Sequence, residues 1–186
     1  GIGGFAEMAV VPEALTFRLP ESVSFEQGAA LPMNYLTMQF GLVRRGGLQP
    51  GETVLVHGAG GGIGTASIQL AAAYGAHVIA VVSSDAKQDA ARTAGAHEVM
   101  HVEGFKDAVL GLTGGRGVDI VVDPVGGDLF TDSLRSLAPE GRLLVIGFTG
   151  GEIPTVRVNR LLLNNISVVG VGMGALVLLR PGLAHE

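Results

Sequence analysis

The chain has 186 residues, of which 47% are hydrophobic and 30 are glycine. A chain of this length that folds as one unit buries about 70% of its unfolded surface, so we expect one sizeable core. The composition is typical of a buried parallel sheet with many short turns and argues against disorder. Lysine and arginine total 12 against 17 acidic residues, a net charge of -5 without a basic cluster, which argues against nucleic acid as a partner.

The sequence also bears on compartment and on metal binding. No apolar run has the length of a membrane span and no signal segment opens the chain, so we expect a soluble protein with no membrane partner. The chain contains no cysteine, which excludes disulfides and cysteine-ligated zinc and fits a cytoplasmic location. Its 5 histidines show no metal-ligand spacing, and we predict no metal site.

Three short elements precede the repeating part of the chain. Gly4–Val11 has the pattern of a strand with no partner, which indicates a further domain upstream. Ser24–Gln27 reads as a capping box for a helix, and a second helix is predicted over Asn34–Arg45, after Pro32. A turn at Gln49–Gly51 then leads into the first strand of the core.

From residue 51 onward, short Val/Ile/Leu runs alternate with alanine- and leucine-rich helical stretches, in a βαβ rhythm. Strands so uniformly apolar must be covered on both faces, which predicts an α/β protein with a doubly wound, six-stranded parallel sheet in the order 3-2-1-4-5-6. Gly75 and Gly95 are placed to end helices. The predicted strands are Thr53–His57, His77–Val82, Glu98–His101, Val118–Val122, Arg142–Ile146 and Ile166–Val171, and the predicted helices are Gly62–Tyr74, Asp85–Thr93, Phe105–Leu112 and Asp128–Leu137.

The stretch from Thr53 to Gly64 joins an apolar run to a glycine cluster that opens a helical segment. A strand, a tight turn and a helix N-terminus together form a socket for a dinucleotide pyrophosphate, because free N–H groups and the helix dipole face the anion. The G-x-G-x-x-G spacing falls on Ala59, Gly61 and Gly64, with alanine in the first slot. Such a pattern also fits a surface loop, but the flanking strand and helix favour the socket.

The end of the second strand, about twenty residues after the glycine cluster, decides which cofactor fits. An acidic side chain there would bond a free ribose 2′-hydroxyl, whereas Ser83 and Lys87, one helical turn apart, would receive a 2′-phosphate. We therefore predict NADP rather than NAD, although Lys87 taken alone fits a solvated helix lysine equally well. Asp85 leaves an alternative open, since it either fills the acidic role or caps the helix that follows.

Other candidates for chemistry are few. Asp123–Gly127 and Gly147–Gly151 follow the fourth and fifth strands, where open α/β sheets bind ligands, although their glycines serve equally well in plain turns. His57 either touches a phosphate or, as we favour, packs at the strand end. Tyr35 and Thr37 supply hydroxyls to a segment expected to overhang the cofactor, and Tyr35 equally fits a helix core. No nucleophile motif or close carboxylate pair is present, so no catalytic residue is assigned.

Several of these motifs together carry a family resemblance. The runs Gly51–Ala59, Gln69–Ala71, Thr113–Asp119 and Asp123–Gly127 resemble the cofactor-binding domain of the medium-chain dehydrogenase/reductase superfamily. Within it, the chain is similar to the zinc-free quinone oxidoreductase (zeta-crystallin-like) branch. The combined motifs are far more specific than the glycine pattern alone.

The resemblance, from about residue 3 to residue 174, implies a domain organisation. Residues 21–174 would form the dinucleotide-binding Rossmann domain, and residues 1–20 would be the remnant of a GroES-like catalytic barrel. Residues 175–186 would start a truncated C-terminal segment, in line with the new element predicted at Ala175–Arg180.

Position by position, the resemblance implies how the cofactor is held. The glycine turn would bind the pyrophosphate, the end of the second strand the 2′-phosphate, and the loops after the fourth and fifth strands the adenosine and the nicotinamide. A tyrosine that often flanks the 2′-phosphate in the family aligns with Val102, so this chain departs from the pattern there. The implied cofactor-binding residues are Thr37, Gly61, Gly62, Ile63, Gly64, Ser83, Lys87, Pro124, Val125, Gly147, Phe148 and Thr149.

The activity implied by the resemblance is hydride transfer from NADPH to a quinone or an activated enone, without a metal. The family residues nearest the substrate lie mostly in the barrel, so this chain alone is expected to be inactive. Two alternatives are the enoyl reductase unit of a multidomain synthase and a non-catalytic nucleotide-binding module. The resemblance also implies a homodimer through the apolar edge strand Asn165–Val171, which a loop would otherwise cover.

Overall fold

The computed structural model describes residues 4–13, 16–180, 182 and 183. Six parallel strands of this part form one sheet: β1 (Thr53–Val56), β2 (His77–Val82), β3 (Glu98–His101), β4 (Val118–Asp123), β5 (Leu137–Val145) and β6 (Ser167–Gly170). Their spatial order is β3-β2-β1-β4-β5-β6. This order confirms the doubly wound sheet predicted from the sequence.

Helices connect the strands largely where the sequence predicts them. Gly75 and Gly95, with φ of 80° and 103°, follow the last turns of two of these helices, in the left-handed region that glycine tolerates. A separate 3-10 turn at Asp85–Lys87 precedes the third helix. The helices are α1 (Phe25–Gln39), α2 (Gly62–Ala73), α3 (Gln88–Thr93), α4 (Phe105–Leu112), α5 (Leu129–Arg135), α6 (Asn159–Asn164) and α7 (Met173–Leu179).

Both faces of the sheet are buried by apolar side chains. Along β1, Val54 and Val56 belong to one core cluster and Leu55 to the other, because successive side chains of a strand point to opposite faces. The first cluster includes Ile68 of α2, and the second includes Val109 of α4. The helices that connect the strands therefore cover both faces of the sheet. Because the strands are parallel, the loops that follow their carboxyl ends all lie along the same edge.

One boundary near the N-terminus differs from the prediction. The capping box at Ser24–Gln27 is confirmed, with reciprocal hydrogen bonds of 3.2 and 2.9 Å. The helix that it opens continues through Pro32 and then as a π-helix over Phe40–Arg45, so the separate second helix over Asn34–Arg45 is wrong. Pro32 removes one helical hydrogen bond, but it lies on the exposed side, where water can bond the freed carbonyl.

Three further boundaries also differ. Gly4–Val11 forms no strand in the described part of the chain, where no neighbouring strand offers it backbone partners. The helix predicted over Asp128–Leu137 is too long, because its last residue pairs with Val118 and opens β5. Asn165 adopts φ 53° and ends α6, so the edge strand predicted over Asn165–Val171 shortens to β6.

The described residues near the two ends of the chain form no strand of the sheet. The element predicted at Ala175–Arg180 is α7, which begins two residues earlier than expected, at Met173. The assignment of residues 1–20 and 175–186 to another domain stays a prediction. No helix among the described residues has both the length and the apolar character needed to cross a bilayer.

Candidate functional site

The turn after β1 sets the geometry of the site. Gly58 adopts φ 58°, so it makes the sharp turn that a side chain would strain. Ala59 is then fully buried, and its N–H donates to the carbonyl of Val81 at 3.1 Å. The N–H of Gly61 donates back to the carbonyl of Gly58 at 2.9 Å. The turn glycine is therefore Gly58, which explains why alanine is accepted in the first slot of the sequence pattern.

Helix α2 begins directly against this turn. A Cβ at Gly64 would lie 2.6 Å from the Cα of Ala59, closer than real atoms approach, so only glycine lets the helix pack here. The N–H of Thr65 is the first to bond within the helix region, to the carbonyl of Gly61 at 2.8 Å. The N–H groups of the preceding turn have no acceptor within the helix, and they carry the positive end of its dipole. This arrangement can hold an anion.

Helix α1 lies over the same helix N-terminus. A Cβ at Gly62 would lie 2.6 Å from Nδ2 of Asn34, so the amide of Asn34 occupies the space beside the first turn of α2. The Tyr35 hydroxyl donates to Oε1 of Gln69 on α2 and ties the two helices together. The hydroxyl of Thr37 donates to the carbonyl of Met33 at 2.6 Å, one turn earlier in α1.

A cavity of about 220 Å³ lies beside the glycine turn, at the carboxyl ends of the strands. Four of the predicted cofactor-binding residues line it, namely Ser83, Lys87, Val125 and Thr149. The other lining residues are His57, Gly58, Gly60, Val81, Val82, Val102, Leu129 and Gly150. A larger apolar cavity of about 440 Å³ lies between α1 and the N-terminal segment, and no residue of the glycine turn lines it.

Lys87 reaches over the glycine turn to its predicted partner. Its Nζ donates to Oγ of Ser83 at 3.1 Å. The stem of Lys87 crosses Gly60 so closely that a Cβ there would lie 2.7 Å from the Cβ of Lys87. The structure thus brings together an ammonium, a hydroxyl and the turn, as a 2′-phosphate site requires.

The loops after β4 and β5 are bonded to each other along the far wall of the cavity. Oδ1 of the buried Asp123 accepts the N–H groups of Val125 and Gly126 at 2.9 and 2.8 Å. The carbonyl of Pro124 accepts both the N–H and the hydroxyl of Thr149, each at 3.1 Å. These bonds fix the position of Val125 and Thr149 in the cavity wall.

Some glycines of these two loops are required by the turns, and one lines the cavity. Gly126, Gly127 and Gly151 have φ of 67°, 59° and 94°, so their turns require them, whereas Gly150 lines the cavity. The remaining predicted cofactor residues lie outside the cavity lining, and their roles stay predictions. They are Thr37, Gly61, Gly62, Ile63, Gly64, Pro124, Gly147 and Phe148.

His57 is packed at the strand end, as the sequence interpretation favoured. The Ser133 hydroxyl gives its one hydrogen to the carbonyl of Leu129 at 2.8 Å, so Nε2 of His57 must be the donor in its 2.8 Å bond to Ser133. The ring also meets Phe105 edge to face, with centroids 4.8 Å apart. Nδ1 of His57 is buried and finds no hydrogen-bond partner among the residues that the structure describes.

Burial also fixes the charge of this histidine. Loss of solvent lowers the pKa of His57 to about 4, while the charge of Asp123 acts in the opposite direction. The ring is therefore neutral at physiological pH and serves as a bridge between β1 and α5 rather than as a phosphate ligand.

Sequence reasoning missed two features of the site. The turn role of Gly58 went unrecognised because the standard spacing begins one residue later. Asp85, His101 and Gln88 form a cluster beside Lys87, with Nε2 of His101 2.9 Å from Oδ1 of Asp85. Histidine and glutamine carry no motif at these positions, and only the pairing of β2 with β3 brings them together.

Comparisons with known proteins bear on this arrangement. A family model described as zinc-binding dehydrogenase matches residues 62–181, well over half of the chain. The chain belongs to this family. It is 44% identical over 177 residues to the quinone oxidoreductase-like protein 2 of Bos taurus, which places it with the quinone oxidoreductase branch of the medium-chain dehydrogenase/reductase superfamily. That alignment covers 94% of this chain and 51% of the relative, so the chain spans about half the length of the relatives it matches.

Solved structures of family members have the same fold. Mycobacterial Rv1454c complexed with NADPH superposes with a TM-score of 0.86 at 33% identity, over 94% of this chain and 54% of that one. The CurK enoyl reductase superposes with a TM-score of 0.79 at 31% identity, over 91% and 51%. The family resemblance and the Rossmann fold are thus confirmed. The family's name includes zinc, yet among the described residues no group of three or more His, Cys, Asp or Glu side chains is placed to hold a metal ion.

The contact between α2 and the glycine turn predicts a large effect of Gly64→Ala. The added methyl overlaps the backbone of Ala59, so we expect the free energy of unfolding to fall by about 3 kcal/mol or more in urea titrations. Gly111→Ala is the matched control, because nothing lies within 4 Å of a Cβ there. On an exposed position of α4 it should raise stability by up to about 1 kcal/mol. Equal effects of the two changes would contradict the close packing.

The neutral, buried His57 predicts a pH dependence of stability. Its pKa is lowered from 6.5 to about 4, so between these values the unfolded chain binds a proton that the folded chain does not. Stability present above pH 6.5 is therefore lost as the pH falls towards 4, by about 3 kcal/mol for this group.

Unfolding at pH 7.5 and pH 4.5 checks this prediction with His57→Gln, which cannot titrate, and with the exposed His77→Gln as control. The pH-dependent loss should shrink in the first variant and persist in the second. A loss of equal size in all three proteins would show that His57 is not the group responsible.

Proposed function

We propose that this chain is the NADPH-binding domain of an oxidoreductase that transfers hydride from NADPH to a quinone or an activated enone. The observation that carries the proposal is one cavity lined by Gly58 and Gly60 of the glycine turn and by the Lys87–Ser83 pair, next to the turn that leads into the N-terminus of α2. The turn and the helix N-terminus suit the pyrophosphate, and the pair suits the 2′-phosphate. Quinone oxidoreductase relatives and a structural neighbour complexed with NADPH support the same conclusion.

The glycine turn and the first turn of α2 suit a bound dinucleotide. Glycine at positions 60 and 64 lets the stem of Lys87 and the first turn of α2 pack closely against the turn, because a Cβ there would lie 2.7 Å from the Cβ of Lys87 or 2.6 Å from the Cα of Ala59. The backbone N–H groups of Gly62 and Ile63 would hold the pyrophosphate, and Val125 and Thr149 would line the path of the dinucleotide. The bound nicotinamide supplies the hydride.

The role of the chain in catalysis would be positioning. Thr37, Gly147, Phe148 and the rest of the predicted set would orient the cofactor, while the groups that touch the substrate belong to the remainder of a full-length protein. We therefore expect little or no quinone reduction by this chain alone. With no cysteine and no basic cluster, we further propose a cytoplasmic location and a small-molecule substrate rather than nucleic acid.

A second candidate is the enoyl reductase unit of a multidomain synthase. It is favoured by the likeness to the CurK enoyl reductase and by 40% identity to a polyketide synthase of Mycobacterium marinum over 153 residues. A non-catalytic nucleotide-binding module is the third. The parent reading frame separates the three candidates. A barrel-coding stretch directly upstream favours the quinone reductase, neighbouring ketosynthase or carrier domains favour the synthase, and a start codon just before Gly1 favours the binding module.

Calorimetry tests the cofactor assignment. NADPH should bind this chain more tightly than NADH, because the ammonium of Lys87 and the hydroxyl of Ser83 both offer hydrogen-bond donors to the anionic 2′-phosphate. Lys87→Ala should narrow that difference by about 1 kcal/mol. The control is Lys106→Ala, since this lysine pairs with Asp107 on α4. Equal affinities of the unmodified chain for the two cofactors would refute the 2′-phosphate argument.

We also propose that two copies pair through β6, the last strand of the sheet order. This strand has β5 as its one neighbour in the described part of the chain, and it presents the half-buried Val168 and Val169. One outward carbonyl, of Gly170, already accepts a hydrogen bond from Arg45 at 3.0 Å. An apolar edge of this kind favours strand addition.

Sedimentation velocity tests the pairing. Val168→Lys places a charge in the proposed interface, and the chain should shift from dimer to monomer while its circular dichroism stays unchanged. A monomeric unmodified chain, or a dimer that tolerates the lysine, would contradict pairing through β6.

A further inference from the structure

Asp85 poses a problem for NADPH binding at the proposed site. It follows Ser83 by two residues and precedes Lys87 by two, in the loop where a carboxylate normally selects NAD by accepting the ribose 2′-hydroxyl. A carboxylate turned towards the bound ribose would repel a 2′-phosphate. Val102 stands where the family often has a tyrosine, so Ser83 and Lys87 would hold that phosphate without the tyrosine. A nearby negative charge would therefore weaken phosphate binding strongly.

The charged side chains of Asp85 and Lys87 extend to different sides of this segment. Lys87 reaches over Gly60 to Ser83, on the side of the glycine turn. Oδ1 of Asp85 instead accepts from Nε2 of Gln88 at 2.6 Å and lies 2.9 Å from Nε2 of His101, on the side of β3. Within the described residues Asp85 pairs with His101 and forms no ion pair with Lys87.

His101 and Gln88, which bond Asp85, are each fixed in position by other residues. His101 ends β3 and pairs in register with Val82 of β2, so the sheet fixes its backbone. The side-chain oxygen Oε1 of Gln88 accepts a hydrogen bond from Nη1 of Arg92 at 3.0 Å. This bond turns the side-chain nitrogen Nε2 of Gln88 towards Asp85. These contacts also lower the pKa of Asp85. The hydrogen bond from His101 is the largest cause, and the charge of His101 and the hydrogen bond from Gln88 act in the same direction. The carboxylate is 88% exposed, so these two contacts are what restrains it among the described residues.

We propose that His101, assisted by Gln88, is a positioning residue for cofactor specificity: it holds the Asp85 carboxylate on the β3 side and leaves the Ser83–Lys87 side open to a 2′-phosphate. Without His101, Asp85 turns towards the ribose, repels the phosphate and accepts the 2′-hydroxyl of NAD(H). This inference rests on the proposed function, because it concerns the selectivity of the same site.

The test is a mutant cycle with the dissociation constants of NADPH and NADH measured by calorimetry on the whole chain. His101→Ala should lower the preference for NADPH by about three- to tenfold, the size expected of an exposed charge brought near the phosphate. His101→Gln, which keeps a donor, should retain most of the preference. In an Asp85→Asn background, His101→Ala should have no further effect, because the repelling charge is gone.

Asp89→Asn is the control for charge alone, since it removes one exposed carboxylate from α3 that has no part in the cluster. It should leave the preference unchanged. If the unmodified chain prefers NADPH but His101→Ala leaves that preference intact, or lowers it equally when Asp85 is asparagine, the positioning role is overturned and the proposed function stands. If the unmodified chain shows no preference, both fail.

Discussion

The contact on which the site depends is the one between the first turn of α2 and the backbone of Ala59. Because Gly64 has no side chain, the helix starts against the turn, and its free N–H groups come to the carboxyl edge of the sheet. Gly58 makes the turn possible by adopting a left-handed conformation, and the bond from Ala59 to Val81 ties it to β2. Any side chain at the contact would push the helix and its dipole away from the turn.

The rest of the fold serves to place other groups around that point. The doubly wound order brings the ends of β2, β4 and β5 to the same edge, so Lys87, Val125 and Thr149 reach one cavity from three different loops. His57 joins the sheet to α5, because its backbone directly follows β1 and its neutral ring bonds Ser133 of α5. Positioning in this protein is thus largely a matter of backbone and buried hydrogen bonds, with few charged groups.

The sequence predicted the parts of this structure that depend on local pattern. Strand order and the glycine turn with its helix follow from periodicity and spacing, and the structure confirms them. Ser83 and Lys87 lie within hydrogen-bond distance of each other, and their role towards a 2′-phosphate stays a prediction. The uninterrupted α1 and the short β6 did not follow, since they depend on tertiary packing and on the left-handed Asn165. The cluster around Asp85 was equally out of reach, because strand pairing alone brings His101 to it.

Backbone amide shifts of an isotope-labelled chain, followed during titration with NADPH, test most directly whether this helix N-terminus is the anion site. The account predicts that the largest shifts fall on the amides of Gly61, Gly62, Ile63 and Gly64, with smaller ones at Ser83 and Lys87. Saturable binding that leaves the four turn amides unmoved and shifts residues of another cavity, such as the apolar one beside α1, would contradict it.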